Sequence, residues 1–176
     1  MKCVQTSDVG GKINNLGVVY LHQGKYVEAA EALNQAHQIF KELKFKIGLA
    51  VVINNLAKLA FEQSEYARSV AFYKQSLPLL VELDYKYEMP EAIEGMASIA
   101  GNFNQVEVAT KLFGFAKSLR DAFQISVPKP NQMAYNKTLI NLQEKLNETL
   151  FQKSWSEGQA MSLKEAVSLA MDFELL

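Results

Sequence analysis

The feature that most constrains this chain is an internal repeat, in which residues 13–36 align without a gap with residues 53–76. Both segments begin with Ile-Asn-Asn-Leu, and both carry a tyrosine at their fourteenth position. The two segments are forty residues apart. A further shift of forty residues aligns a weaker third copy, which begins at Ile93 and has small residues at the same offsets. A chain built in this way is predicted to form an array in which each unit packs against its neighbours.

Each unit has the apolar spacing of two helices. In the first unit, a stripe at i, i+3, i+4 and i+7 predicts one helix, and a second stripe follows after a break at residues 23–25. The first stripe consists of Ile13, Leu16, Gly17 and Tyr20, and the second of Ala29, Leu33, Ala36 and Phe40. The pattern places Leu16 and its counterpart Leu56 in the core. Gly17 and Ala57 are expected to be small because the two helices of each hairpin approach closely at these positions.

Turn residues and prolines mark where these helices end. Gly24 suits the left-handed residue after a helix, and Ser64 and Asn104 occupy the same position in the later units. Pro90 fits the first turn of the third unit's opening helix. Pro78 lies inside a predicted helix and is expected to kink or end it.

The segment after residue 124 has a different pattern. Pro128 and Pro130 exclude a helix over residues 125–130 and indicate a linker. A helix is predicted over 132–146, and a short helix then runs from an Asn147 cap to Gly158, which is expected to end it. Ser162 and Glu165 form a capping box that opens a last helix. Its inward residues are predicted to be Ala166, Leu169, Ala170 and Phe173.

The repeat resembles the tetratricopeptide repeat (TPR). The resemblance is carried by Leu-Gly-x-x-Tyr, then Gly-x-Tyr-x-x-Ala, then a further small residue, at Leu16, Gly17, Tyr20, Gly24, Tyr26, Ala29 and Ala36. The period of forty exceeds the usual length of about 34 residues. The resemblance implies an all-α fold, a right-handed TPR-like superhelix of about three long helical hairpins followed by a C-terminal helical cap.

This interpretation divides the chain into four parts. Residues 1–9 are an N-terminal extension, and residues 10–124 contain three repeats at about 10–49, 50–89 and 90–124. Residues 125–131 form the linker that contains the prolines, and residues 132–176 form the capping helices.

The C-terminal half is similar to the end of large bacterial signalling ATPases, many of them LuxR- or AfsR-type transcription regulators. The similarity lies in residues 94–100 and 109–120, in Phe151-x-x-x-Trp155-Ser-Glu-Gly158, and in residues 160–166. It implies a sensory or regulatory module that binds a protein or peptide, or the ATPase domain of a longer chain. The ATPase activity itself is not implied, because Gly10-Gly11-Lys12 lacks the remaining residues of a phosphate-binding loop.

Composition argues against several other functions. The formal net charge of −1 offers no electrostatic basis for binding nucleic acid. One cysteine and two histidines argue against a disulfide, a metal site or a cofactor site. No nucleophile stands with a base at a motif spacing, so we predict no catalytic residues and no enzyme activity. No apolar stretch approaches the length of a membrane span, and we therefore expect a cytoplasmic protein that does not bind membranes.

The paired asparagines are the most informative polar feature. In a TPR array the first helix of each hairpin lines the concave face, and an asparagine amide can hold a peptide backbone through both donor and acceptor. Asn14 stacked on Asn54, or Asn15 on Asn55, would form a ladder for an extended ligand. The alternative is that these amides only stabilise the array. The predicted peptide-binding face comprises Asn14, Asn15, Val18, His22, Asn54, Asn55, Lys58 and Glu62.

The first repeat has an apolar outer face that a solenoid must cover. A preceding repeat or a second copy of the chain could cover it, and we expect the isolated chain to self-associate. The second functional hypothesis follows from this face, namely a structural or oligomerisation scaffold without a ligand groove.

Overall fold

The computed structural model describes residues 2–172 together with residues 174 and 175. Over these residues the regular structure consists of nine α-helices and one 3-10 helix, which confirms the all-α, TPR-like fold. The chain divides between Tyr85 and Lys86 into two compact units, here called unit 1 and unit 2. This division lies inside the segment 10–124 that the sequence assigned to repeats.

Unit 1 contains two helical hairpins. The helices are α1 (Lys2–His22), α2 (Tyr26–Glu42), α3 (Lys46–Glu62) and α4 (Tyr66–Glu82). The bounds of α4 are those of α2 shifted by one repeat period, as the repeat predicts. Residues 2–9, predicted as an extension, are the opening turns of α1.

A left-handed residue ends each of the first six helices of the chain. These residues are spaced twenty apart, with φ between 49° and 71°, at Gly24, Lys44, Ser64, Asp84, Asn104 and Gln124. In each case the next backbone N–H bonds back to the carbonyl five residues earlier, for example Lys25 N to Tyr20 O at 3.0 Å. This pattern satisfies carbonyls at the helix end and sets the start of the next helix.

The core of unit 1 forms where α2 packs between α1 and α3. Gly17 allows the closest approach, because a Cβ there would lie 2.8 Å from Cγ of Leu33. Leu33 also belongs to the cluster that buries Leu56 and Leu59 of α3. The prediction that Leu16 is a core residue is wrong, since its side chain is 45% exposed whereas Leu56 is 3% exposed. The reason is that α2 covers this face of α3, and the structure describes no helix over the matching face of α1.

Unit 2 contains one hairpin of the repeat and the C-terminal helices. The hairpin is formed by α5 (Met89–Asn102) and α6 (Val106–Phe123). A segment without α-helix leads to the 3-10 helix Lys129–Asn131 and then to α7 (Gln132–Lys145), α8 (Glu148–Ala160) and α9 (Leu163–Asp172). Two predicted helix starts are confirmed: the Asn147 side chain accepts a bond from Leu150 N at 2.9 Å, and Glu165 accepts one from Ser162 N at 2.7 Å.

Two glycines let α6 and α8 cross at short distance. A Cβ on Gly114 of α6 would lie 2.5 Å from the carbonyl oxygen of Trp155 on α8. A Cβ on Gly158 of α8 would overlap the backbone of Lys111 on α6. The prediction that Gly158 ends its helix is therefore wrong, since α8 continues to Ala160 and Gly158 serves close packing.

The two helical prolines behave differently. Pro90 lies in the first turn of α5, as predicted. Pro78 lies inside α4, which continues to Glu82, so this proline does not end the helix. Phe173, which the sequence places on the inner side of the last helix, lies outside the described residues.

Candidate functional site

A hydrogen bond between asparagines joins the first helices of the two hairpins in unit 1. Asn55 Nδ2 on α3 donates to Asn14 Oδ1 on α1 at 3.0 Å, and both side chains are buried. Asn14 Nδ2 in turn lies 3.5 Å from Oδ1 of Asn15, which is exposed. Lys58 Nζ donates to Asn55 Oδ1 at 3.2 Å. The amides therefore form one connected polar network across α1 and α3.

The observed pairing differs from both predicted ladders. The sequence paired Asn14 with Asn54 or Asn15 with Asn55, whereas the structure pairs Asn14 with Asn55. The two helices meet with an offset of one residue from the repeat period. Asn54 is completely buried and Asn14 is only 6% exposed, so neither offers a surface to a ligand.

The surface next to this network is what a ligand can reach. Asn15 and His22 are exposed on α1, Glu62 is exposed on α3, and Val18 and Lys58 are partly buried. On each helix these residues follow a spacing of three to four, which places them along one side. We call Asn15, Val18, His22, Lys58 and Glu62 the polar face of unit 1. It carries amide, ammonium and carboxylate groups, which suit hydrogen bonding to a polypeptide.

Unit 2 has a charged cluster at the corresponding position of the third repeat. Glu94, one repeat period after Asn54, is 8% exposed and accepts two bonds from Arg120, at 2.6 Å from Nε and 2.7 Å from Nη2. Burial lowers the pKa of Arg120, but the bonds and charge of Glu94 outweigh it and raise that pKa above its usual value. Burial also raises the pKa of Tyr135 to about 12, with a further contribution from the Glu94 carboxylate.

The pairing of Glu94 with Arg120 was not predicted from the sequence. Its one available signal was the replacement of Asn-Asn by Glu94-Gly95 in the third repeat. An acidic residue at a buried repeat position requires a cationic partner. The partner could not be identified from the sequence, because Arg120 lies near the far end of the next helix, α6.

The described part of the chain offers neither a metal site nor a membrane span. No group of three or more histidine, cysteine or acidic side chains could hold a metal ion among those residues. None of the helices there is both long and apolar enough to cross a membrane.

Comparison with known proteins identifies the repeat. Residues 10–80 match the family model of the tetratricopeptide repeat, a stretch that lies within unit 1 and includes the polar face. No characterised protein and no solved structure shows significant similarity to the chain. Over residues 10–80 the chain is thus similar to tetratricopeptide repeats, which suggests a protein-interaction module.

Proposed function

We propose that the polar face of unit 1 binds an extended segment of a partner protein. The observation that carries this proposal is the bond between Asn55 and Asn14, which fixes the amides of two successive first helices in one network. Asn15 continues this network to the surface. Because the network is held in place before a ligand arrives, less conformational entropy is lost on binding.

The chemistry of the face favours a peptide backbone over one particular side chain. The amide of Asn15 can donate and accept, as a backbone requires. Lys58 adds a cation that is already oriented by Asn55 at 3.2 Å. His22 lies about two turns beyond Asn15 and Glu62 about one turn beyond Lys58, where they can contact side chains of the ligand. The protein would act by binding and not by catalysis.

The test uses substitutions at the surface only. A library of random twelve-residue peptides would be selected against the wild-type protein, and dissociation constants would be measured for Asn15→Ala and Lys58→Met. Each variant should lose about tenfold in affinity, since a hydrogen bond to a ligand is worth roughly 1.4 kcal/mol. Asn34→Ala is the matched control, because Asn34 is an exposed asparagine of α2. Equal binding by all four proteins would refute the proposal.

A second candidate function, a scaffold that self-associates, is favoured by the outer face of α1. Val9, Leu16 and Val19 are between 45% and 49% exposed on this face. In α3 the counterparts of Leu16 and Val19 are Leu56 and Leu59, which α2 buries to 3% and 4%. We propose that a second copy of the chain covers the outer face of α1.

Sedimentation velocity over a range of concentrations tests this candidate. The wild-type protein should dimerise, and Leu16→Lys combined with Val19→Lys should make it monomeric. Val27→Lys is the control, because Val27 is 69% exposed on α2. A wild-type protein that stays monomeric at the highest concentration would exclude the scaffold.

We also propose a cellular role for the chain, as part of a bacterial signalling ATPase. The similarity of the C-terminal half to bacterial signalling ATPases supports a role as their sensory or regulatory end, in the cytoplasm, with the ATPase domain as one partner. An immunoblot of the source cells should then show a band far above the mass of these 176 residues. A band at that mass would indicate a separate adaptor protein.

A further inference from the structure

Within unit 2, the segment 125–131 is bonded to both helices of the third repeat, α5 and α6. Asn131 Nδ2 donates to Oε1 of Glu91 on α5 at 2.7 Å. Near the other end of the segment, the carbonyl of Ser126 accepts a bond from Arg120 Nη1 at 3.2 Å. Ile125 is buried at 9% exposure. The segment is thus attached by a side-chain amide, a backbone carbonyl and an apolar side chain.

One member of the cluster that holds this segment, Glu94, lies at a polar position of the earlier repeats. Shifts by the repeat period align Glu94 with Asn54 and Asn14, and the Arg120 that pairs with Glu94 holds the Ser126 carbonyl. The same shift aligns Glu91 with Val51, one turn earlier on the same helix. Since Glu91 and Glu94 are three residues apart, the bond from Asn131 to Glu91 places the end of the linker on the side of α5 that carries Glu94.

We propose that this side of α5 is a peptide-binding site that is occupied in cis by residues 125–131. The linker indicates what the site accepts. A ligand is a segment without α-helix that ends in a short 3-10 turn like Lys129–Asn131, and prolines such as Pro128 and Pro130 keep it out of α-helical conformation. It presents a carbonyl to Arg120 and an amide donor to Glu91. This inference extends the proposed function to a second site, and it is tested on different residues.

The attachment in cis explains why such a site would stay closed. A tethered segment competes with a free peptide at an effective concentration in the millimolar range. A free peptide of the same chemistry therefore binds only after the linker has been weakened. A partner that displaces the linker would also release residues next to α7, which begins at Gln132.

The experiment first adds a negative charge at position 131, opposite Glu91, and then removes the negative charge at position 91. Asn131→Asp places two carboxylates against each other and should release the linker. Adding Glu91→Gln to that variant restores a donor and an acceptor and should close the site again. The probe is a synthetic peptide with the sequence of residues 124–132, capped at both ends. Its binding would be followed by NMR shifts of the Arg120 side-chain Nε and of the amides of residues 91 and 94.

We expect the probe to bind Asn131→Asp at least about tenfold more tightly than the wild type, and the double variant to bind as weakly as the wild type. Asn131→Ala, which lacks the repulsion, should give an intermediate affinity and guards against misfolding of the charged variant. Equal binding by all proteins, or binding by none, would overturn the proposal. Asn15→Ala and Lys58→Met should not alter these affinities, which separates this site from the polar face of unit 1.

Discussion

Unit 1 and unit 2 use the same position of the repeat in different ways. In unit 1, this position carries Asn14 and Asn54, and Asn14 bonds with Asn55 in a neutral amide network that continues to exposed Asn15. In unit 2, it carries Glu94, which is buried and paired with Arg120, and Arg120 also donates to the carbonyl of Ser126 in the linker. One hairpin pattern thus supports an open polar face in one unit and a closed, charged contact in the other.

The difference shows what determines whether a repeat position is available to a ligand. The backbone turns are alike in both units, since left-handed residues recur every twenty positions up to Gln124. What differs is that in unit 2 the segment 125–131 is bonded to residues of the hairpin, namely Glu91 and Arg120. Glu94 adds a charge whose burial requires pairing, and that pairing also holds this segment in place.

The largest difference in stability between matched variants of the two units is expected when a charged partner is removed. Arg120→Met leaves Glu94 buried without its cation and should cost about 3–5 kcal/mol. The control is Arg68→Met in unit 1, which breaks an exposed pair with Glu65 worth under about 1 kcal/mol. Urea denaturation would follow unit 2 by the fluorescence of Trp155, the one tryptophan of the chain, and the helices of both units together by circular dichroism. Similar costs for the two substitutions would contradict the comparison.

A second substitution pair tests packing within unit 1. Leu56→Ala should cost about 2–5 kcal/mol, because it opens a cavity in a buried cluster. Leu16→Ala, at the same position of the first repeat, should cost less than about 1 kcal/mol because its side chain is 45% exposed. Chemical denaturation measures both, at low concentration so that association does not contribute. If Leu16→Ala proves as costly as Leu56→Ala, the outer face of α1 is covered in solution.

The close crossing of α6 and α8 in unit 2 depends on Gly114 and Gly158. Gly158→Ala should cost about 2–3 kcal/mol, because the added methyl overlaps the backbone of Lys111 on α6. Gly11→Ala in α1 is the opposite case, since a Cβ there meets nothing within 4 Å. It should stabilise unit 1 by about 0.5–1 kcal/mol through the helix propensity of alanine. Equal and small effects at both sites would show that α8 is free to shift.

The smallest effect is expected at the turns that both units share. Lys44 has a φ of 53°, a conformation that costs a non-glycine residue roughly 1 kcal/mol. Lys44→Gly should therefore raise the stability of unit 1 by up to about 1 kcal/mol. Gly24→Ala, at a φ of 71°, should lower it by a similar amount. Thermal unfolding measures both, and effects of the same sign would contradict the turn geometry.

The regular part of the fold could be predicted because it depends on local spacing. The repeat period predicted both hairpins of unit 1, and Gly24, Ser64 and Asn104 indicated three of the left-handed turns. Lys44 and Gln124 were missed because these residue types carry little signal for that conformation, whereas Asp84 was missed although aspartate tolerates it. Their backbone is set by the tertiary packing of the hairpins and not by local preference.

The site was less predictable because burial depends on neighbours. Leu16 was assigned to the core from a pattern that holds only where a preceding helix covers it. Asn55 was expected to stack on Asn15, and only the offset between α1 and α3 shows that it bonds with Asn14. The partnership of Glu94 and Arg120 joins two helices at a separation that no spacing rule predicts.

The central claim is that ligands meet the polar face of unit 1 and not the outer face of α1. Methyl NMR of the wild-type protein with the best selected peptide tests it directly, because Val18 lies on the polar face whereas Val9 and Leu16, seven residues apart on α1, lie on the outer face. We predict that the methyl signals of Val18 shift and that those of Val9 and Leu16 do not. Shifts confined to Val9 and Leu16 would contradict the claim and favour the scaffold.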